Sequence, residues 1–206
     1  MPVVNIKKTE NYVYALWQIE ENLELLLKKL EATSEELIEI NNITHLNRKK
    51  QNITARLLLN HLSMTKVKLS YSKHGAPYCP NFKHISISHS KNYCTLITST
   101  QNVGIDIQYQ KNNIKELQKK FINTIERSSL TNQHDTKALH LIWCAKEAIY
   151  KTLNNPLCSL KEDIYILTLG RKTRAYYKYG TSQCVQYEIE HDKFKNYFIA
   201  IATEIS

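Results

Sequence analysis

Three short segments of the 206-residue sequence gather residue types that handle phosphates and divalent cations. In the first, Ile85 and Ile87 alternate with Ser86 and Ser88 before His89 and Ser90, a strand that runs out into hydroxyls and an imidazole. A strand end of this kind offers side-chain donors to a phosphate, although the same pattern also describes a strand with a polar terminus. In the second, Val103, Ile105 and Ile107 alternate with Gly104, Asp106 and Gln108, so the two oxygen-bearing side chains share one sheet face. A hard cation such as Mg2+ takes one or two carboxylates and fills its other positions with phosphate and water. Gly104 reads as room for close approach of a ligand. In the third, Trp143, Glu147 and Lys151 recur at helical spacing and form one stripe. A Glu-Lys pair alone is worth only about 0.2–0.5 kcal/mol as a surface contact. Its company here, a second carboxylate and an aromatic on the same face, points to chemistry on a metal-bound phosphate.

The elements that must position these residues follow from periodicity. Residues 12–17 read as a strand and 19–30 as a helix with Leu23, Leu26, Leu27 and Leu30 on one face. Thr33 with Glu36 is a capping-box start for a short helix to Ile40. A longer helix over 45–62 sends Leu46, Ile53, Leu57 and Leu58 to a core and keeps a basic opposite side. Residues 67–71 have period two, and 73–80, with Gly75, Pro77 and Pro80, form a loop. Strands over 84–88, 93–99 and 103–109 precede helices over 114–121, 126–130 and 138–153, the last stopped by Asn154, Asn155 and Pro156. Strands over 164–169, 174–179, 185–190 and 197–203 complete a mixed α/β (α+β) order repeated about twice.

Charge narrows the partner. Twenty-eight Lys and Arg against nineteen Asp and Glu give +9. Residues 1–40 hold four Lys against eight Glu, so the remaining 24 cations and 11 anions put +13 after residue 40. An anionic partner is expected to bind there. No N-terminal stretch reads as a secretion signal and no window reaches the apolar length that crosses a bilayer, so a cytoplasmic protein without membrane contact is expected. The five cysteines are odd in number and lack a Cys-x-x-Cys pair, which argues against a zinc site or a disulfide framework and for reduced, mostly buried thiols.

The order of the three segments is more specific than any one of them. Ser88-His89-Ser90, then Gly104-Ile105-Asp106, then Trp143 followed by Lys146-Glu147-Ala148 and Lys151 resembles the Sfp-type 4′-phosphopantetheinyl transferases. The helix bearing Arg48 and Arg56 looks like that family's basic N-terminal helix, and Lys73 to Tyr78 looks like its Gly-x-Pro loop. The segment from Phe121 to Glu126 is similar to the one where the family places a further Glu. Together the likeness covers residues 45–152.

The resemblance implies an α/β pseudo-dimer of two similar lobes in one chain, with lobes at 1–107 and 108–206 and the active site between them. It implies transfer of 4′-phosphopantetheine from coenzyme A to a serine of an apo acyl or peptidyl carrier protein, releasing 3′,5′-ADP, as in holo-[acyl-carrier-protein] synthase activity. Carriers of fatty acid, polyketide or nonribosomal peptide synthesis are the implied substrates. By the same resemblance Asp106, Glu147 and Gln108 hold Mg2+, for which Mn2+ could substitute, and Glu147 is the base. Lys151 neutralises the phosphate under attack, while Arg48, Lys73, Ser88 and His89 hold the nucleotide end. Two positions depart from the family pattern. Gln108 stands where many relatives have a second acid, which implies weaker metal binding, and Ala76 stands where a basic residue is common.

An acidic carrier and polyanionic CoA would both use the positive excess, and a monomer is expected. Two other classes compete. A nucleic-acid-binding module would use the basic charge and thirteen Tyr, but the Tyr are dispersed and no cluster exceeds Arg48, Lys49 and Lys50. A catalytically weak scaffold that binds carriers without turnover would fit the loss of an acid at Gln108.

Overall fold

The computed structural model describes residues 3–129, 135–153, 155–170, 173–180 and 183–205. Asn154 and Leu130, expected at the ends of helices, lie outside these residues. The chain divides into two units, Met1–Thr100 and Gln101–Ser206.

In the first unit β1 (Val3–Lys8), β2 (Tyr12–Gln18), β5 (His84–Ser90) and β6 (Tyr93–Ser99) form an antiparallel sheet in the order β1-β2-β6-β5. Three helices lie between β2 and the later strands: α1 (Leu23–Leu30), α2 (Ser34–Asn41) and α3 (Leu46–Ser63). A small hairpin of β3 (Ser70–Tyr71) and β4 (Pro77–Tyr78) follows them. Helix α1 begins four residues later than its apolar spacing suggests, because Asn22 accepts the Leu25 amide at 2.8 Å and caps it there. Helix α2 forms its capping box as expected, Thr33 and Glu36 each accepting the other's backbone N–H. The core joins Leu26 and Leu30 of α1, Ile53, Leu57 and Leu58 of α3, and Trp17 and Leu96 of the sheet. Each such aliphatic side chain contributes about 1.5–3 kcal/mol by leaving water.

In the second unit β7 (Val103–Tyr109), β8 (Ile164–Thr168), β9 (Thr173–Tyr179), β10 (Gln183–Phe194) and β11 (Tyr197–Ile205) form a second antiparallel sheet in the order β7-β11-β10-β9-β8. Between β7 and β8 run α4 (Ile114–Leu117), a 3-10 turn (Gln118–Lys120), α5 (Thr124–Ser129) and α6 (Thr136–Tyr150). Asp135 caps α6 by accepting the amides of Lys137 and Ala138. The core places Leu139, Ile142, Ala145, Ala148 and Ile149 of α6 against Ala200 and Ala202 of β11 and Tyr187 and Ile189 of β10.

The division falls seven residues before the boundary expected at 107. The reason is pairing: β7, expected to close the first lobe, joins β11 from Val103↔Thr203 to Tyr109↔Tyr197. Asp106 and Glu147 therefore belong to one unit, where the sequence had assigned one to each.

Candidate functional site

The second unit brings Asp106, Glu147 and Lys151 together through one glycine. Gly104 lies two residues before Asp106 on the same face of β7. A Cβ there would overlap the carbonyl oxygen of Ala148 on α6. Only glycine permits this approach, so its role is to seat the helix on the strand and not to admit a ligand. With the helix so close, Lys151 at the C-cap of α6 reaches back across β7. Its ammonium donates to Asp106 Oδ1 at 2.8 Å and to the Ile105 carbonyl at 2.9 Å.

The electrostatics mark the carboxylates as a pair. Asp106 is buried, and Glu147, half-buried one turn before Lys151, has its carboxyl pushed above the usual range. Burial is the main cause and the negative charge of Asp106 the next, while Lys151 and Lys111 pull the other way. A shared cation would relieve the penalty that burial and the neighbouring Asp106 charge place on the Glu147 carboxylate. The oxygen-only donors of the two carboxylates suit Mg2+ better than a soft metal. Among the described residues no group of three or more His, Cys, Asp or Glu has metal-binding geometry, so two carboxylates are the acidic donors this place provides. Gln108 lies on the same face of β7 and its Nε2 donates to the Tyr109 carbonyl at 3.2 Å.

The stripe on α6 forms as its spacing predicts. Trp143 packs against the core and meets Phe121 edge-to-face, with ring centroids 5.0 Å apart and planes at 80°. Residues 102–202, which hold this whole arrangement, match the 4′-phosphopantetheinyl transferase superfamily. The chain is also similar to the 4′-phosphopantetheinyl transferase of Bacillus subtilis, 28% identical over 108 residues that make up 50% of this chain. The chain spans 48% of that relative's length. The superfamily match contains Asp106, Gln108, Glu147 and Lys151 and leaves Arg48, Lys73, Ser88 and His89 outside it.

Those four lie in the first unit. Arg48, exposed on the first turn of α3, places Nη1 2.5 Å from His89 Nε2. A guanidinium only donates, so this imidazole nitrogen is an acceptor. Ser88 is buried, and strand alternation puts it on the face of β5 opposite His89, so these neighbours do not point the same way. Lys73 is exposed in the turn between β3 and β4, where Gly75 has φ +82°. Arg56 is not a surface cation: it is buried, as its helical position suggests, and pairs with Glu36 at 3.2 Å and Glu39 at 2.5 Å.

Two features were hidden from the sequence. Lys146, adjacent to Glu147, is fully buried and ion-paired with Glu126 at 2.8 Å. Burial pulls its ammonium below the ordinary lysine range and Glu126 offsets part of that. Lys111, just past β7, sets its ammonium 5.0 Å from the Trp143 ring centroid. Cys144 is inert, its thiol pushed well up by burial and by Asp106. Cys79, Cys94 and Cys144 are buried free thiols, as expected, whereas Cys184 is exposed. No helix among the described residues is long and apolar enough to cross a membrane.

Proposed function

We propose that this protein transfers 4′-phosphopantetheine from coenzyme A to a serine hydroxyl of an apo acyl or peptidyl carrier protein, with Mg2+, releasing 3′,5′-ADP. The observation that carries the reading is the convergence of Asp106, Glu147 and Lys151 on β7 and α6 within the stretch that matches the superfamily. Asp106 and Glu147 would hold the metal, with Gln108 or water beside them. When bound, Mg2+ supplies electrostatic stabilisation of charge that develops on the leaving phosphate.

The protein's own groups do the rest. Lys151 is set by Asp106 and the Ile105 carbonyl so that its charge is in place before substrate arrives. It neutralises the phosphate under attack without reorganising. Glu147, whose surroundings raise its proton affinity, accepts the proton of the carrier serine directly or through water. Arg48, Lys73, Ser88 and His89 are assigned to the nucleotide end of CoA. Arg48, Lys49 and Lys50 crowd the positive N-terminal end of α3, where cations are unfavourable by about 0.3–1 kcal/mol each and an anion is favoured. The remaining positive excess steers an acidic carrier, and that association weakens as salt rises.

Incubation with CoA, Mg2+ and an apo carrier, read by intact mass, tests the reading. Gain of one phosphopantetheine on the carrier, lost in Glu147→Ala, supports it. No gain on carriers of all three synthesis classes, with the fold intact, sinks it.

A further inference from the structure

His140 is fully buried on α6, one turn before Trp143, and both ring nitrogens are committed. Nε2 receives the Lys111 backbone N–H at 2.8 Å, and Nδ1 lies 2.5 Å from the Thr136 carbonyl. A backbone amide only donates, so Nε2 carries a lone pair; a carbonyl only accepts, so Nδ1 carries the proton. One neutral tautomer satisfies both contacts. The ring is further fixed by stacking on Phe198 of β11, with centroids 4.7 Å apart and planes at 11°. The charge of Lys111 acts on it, and Lys193 of β10 sits over the Phe198 ring at 5.6 Å. Burial, reinforced by Lys111, holds the imidazole below its ordinary proton affinity against the pull of the Thr136 carbonyl.

The bond matters because of what it fixes. The chain leaves β7 at Tyr109, and Gln110 is tied by its N–H to the Asn196 carbonyl at 2.9 Å. The next residue is Lys111, whose ammonium rests on the Trp143 ring and whose charge acts on Glu147 one turn further along α6. Two backbone bonds in succession thus fix where this lysine starts, and an aromatic face fixes where it ends.

We propose that His140 is a positioning residue: by accepting the Lys111 amide it holds the Lys111 ammonium where its charge acts on the Glu147 carboxylate, as a second cation, after Lys151, for a polyphosphate substrate. The identity of that anion rests on the transferase reading. The two cations differ in kind. Lys151 is ion-paired with Asp106, whereas Lys111 rests on an aromatic face that a phosphate can readily draw it from.

The experiment compares Lys111→Ala, His140→Phe, the double variant and His140→Gln by three readouts: amide exchange at residue 111, titration with Mg2+ and inorganic pyrophosphate, and transfer to an apo carrier. His140→Phe should keep the ring stack, expose the residue-111 amide to rapid exchange and weaken pyrophosphate binding about tenfold, the size of one charge-assisted contact. Lys111→Ala should weaken it equally, and the double variant no further, since one residue acts through the other. His140→Gln, whose side-chain oxygen can accept the same N–H, should restore protection and most of the affinity. Continued protection in His140→Phe, or losses that add in the double variant, would overturn the proposal. Wild-type protein that binds pyrophosphate with this pattern but transfers to no carrier sinks the transferase reading and leaves His140 and Lys111 as an anion site. Wild-type transfer with Lys111→Ala at full pyrophosphate affinity does the reverse.

Discussion

The long helices α3 and α6 each sink one cation into the protein and keep another at an end, and the two pairs are built differently. In the first unit Arg56 spreads its donors over Glu36, Glu39, Asn52 and the Leu69 carbonyl. In the second, Lys146 matches its three N–H groups to Glu126 and the carbonyls of Phe121 and Leu160. Glu126 in turn accepts the amides of Asn123 and Ile166, so one carboxylate ties α6, the start of α5 and β8. The guanidinium pairs directly with two acids; among the described residues the ammonium pairs directly with Glu126 alone, Glu162 acting on it from further away. The end cations contrast as well. Lys151 sits at the C-terminal end of its helix, where the macrodipole favours it, and Arg48 at the N-terminal end, where it does not.

That contrast is broken most directly by removing a single acid from each buried pair. Glu126→Gln should destabilise the protein by about 3–5 kcal/mol, because Lys146 is left buried without an acid in direct contact. Glu36→Gln should cost about 1–3 kcal/mol, since Glu39 still neutralises Arg56. Urea unfolding of the two variants decides it. Equal losses would mean that the second acid at Arg56 contributes nothing.

Next in size is Asp106→Ala. It removes a proposed metal ligand and frees Lys151, and should lower transfer by about 10²–10³-fold, the scale of losing one preorganised electrostatic contact. Its cost to stability should be small by comparison with Glu126→Gln, because Lys151 is 25% exposed and can turn to water. Carrier mass gain against time, alongside a melting curve, separates the two effects. A variant that melts as early as Glu126→Gln would make Asp106 a structural acid like its buried counterpart.

Acid should distinguish the units as well. His191 on β10 is enclosed, and burial pushes its imidazole down to about 4 from an ordinary 6.5. The unfolded chain therefore takes up a proton that the folded one refuses between these values. The contribution is complete above pH 6.5 and disappears as pH falls toward 4, up to about 3 kcal/mol in all. Amide exchange across that window should show β10 and β11 loosening before the first sheet. His191→Leu should flatten the pH dependence; an unchanged profile would place the acid-sensitive group elsewhere.

The sequence made the local features legible and the long-range ones not. The capping box of α2 and the stripe of Trp143, Glu147 and Lys151 depend on residues within a few turns, and both form as their spacing predicts. Strand β1 was missed because Lys7, Lys8 and Asn5 dilute the alternation of a sheet edge. The assignment of β7 to the first lobe failed because strand propensity does not name a partner, and β11 lies almost a hundred residues away. Gly104 looked like space for a ligand, since nothing local shows that a helix carbonyl fills it. Lys146 and Glu126 lie twenty residues apart on two different helices, so neither spacing nor charge pattern could announce their pairing.

The smallest expected effect tests the other end of the comparison. Arg48 is exposed, contacts His89 and lies where the helix dipole opposes it, so it does little for the fold. Arg48→Ala should leave stability unchanged or raise it by about 0.3–1 kcal/mol. If Arg48 instead holds the nucleotide end of CoA, the same variant should raise the KM for CoA about tenfold with kcat nearly constant, because a contact remote from the reacting phosphate binds ground and transition states alike. His89→Ala should act on the same constant and combine with Arg48→Ala less than additively, as expected of two groups 2.5 Å apart. A loss confined to kcat would assign Arg48 to the reacting centre instead. A drop in melting temperature would make it a structural cation, and the distinction between the buried and the end cation of α3 would fall.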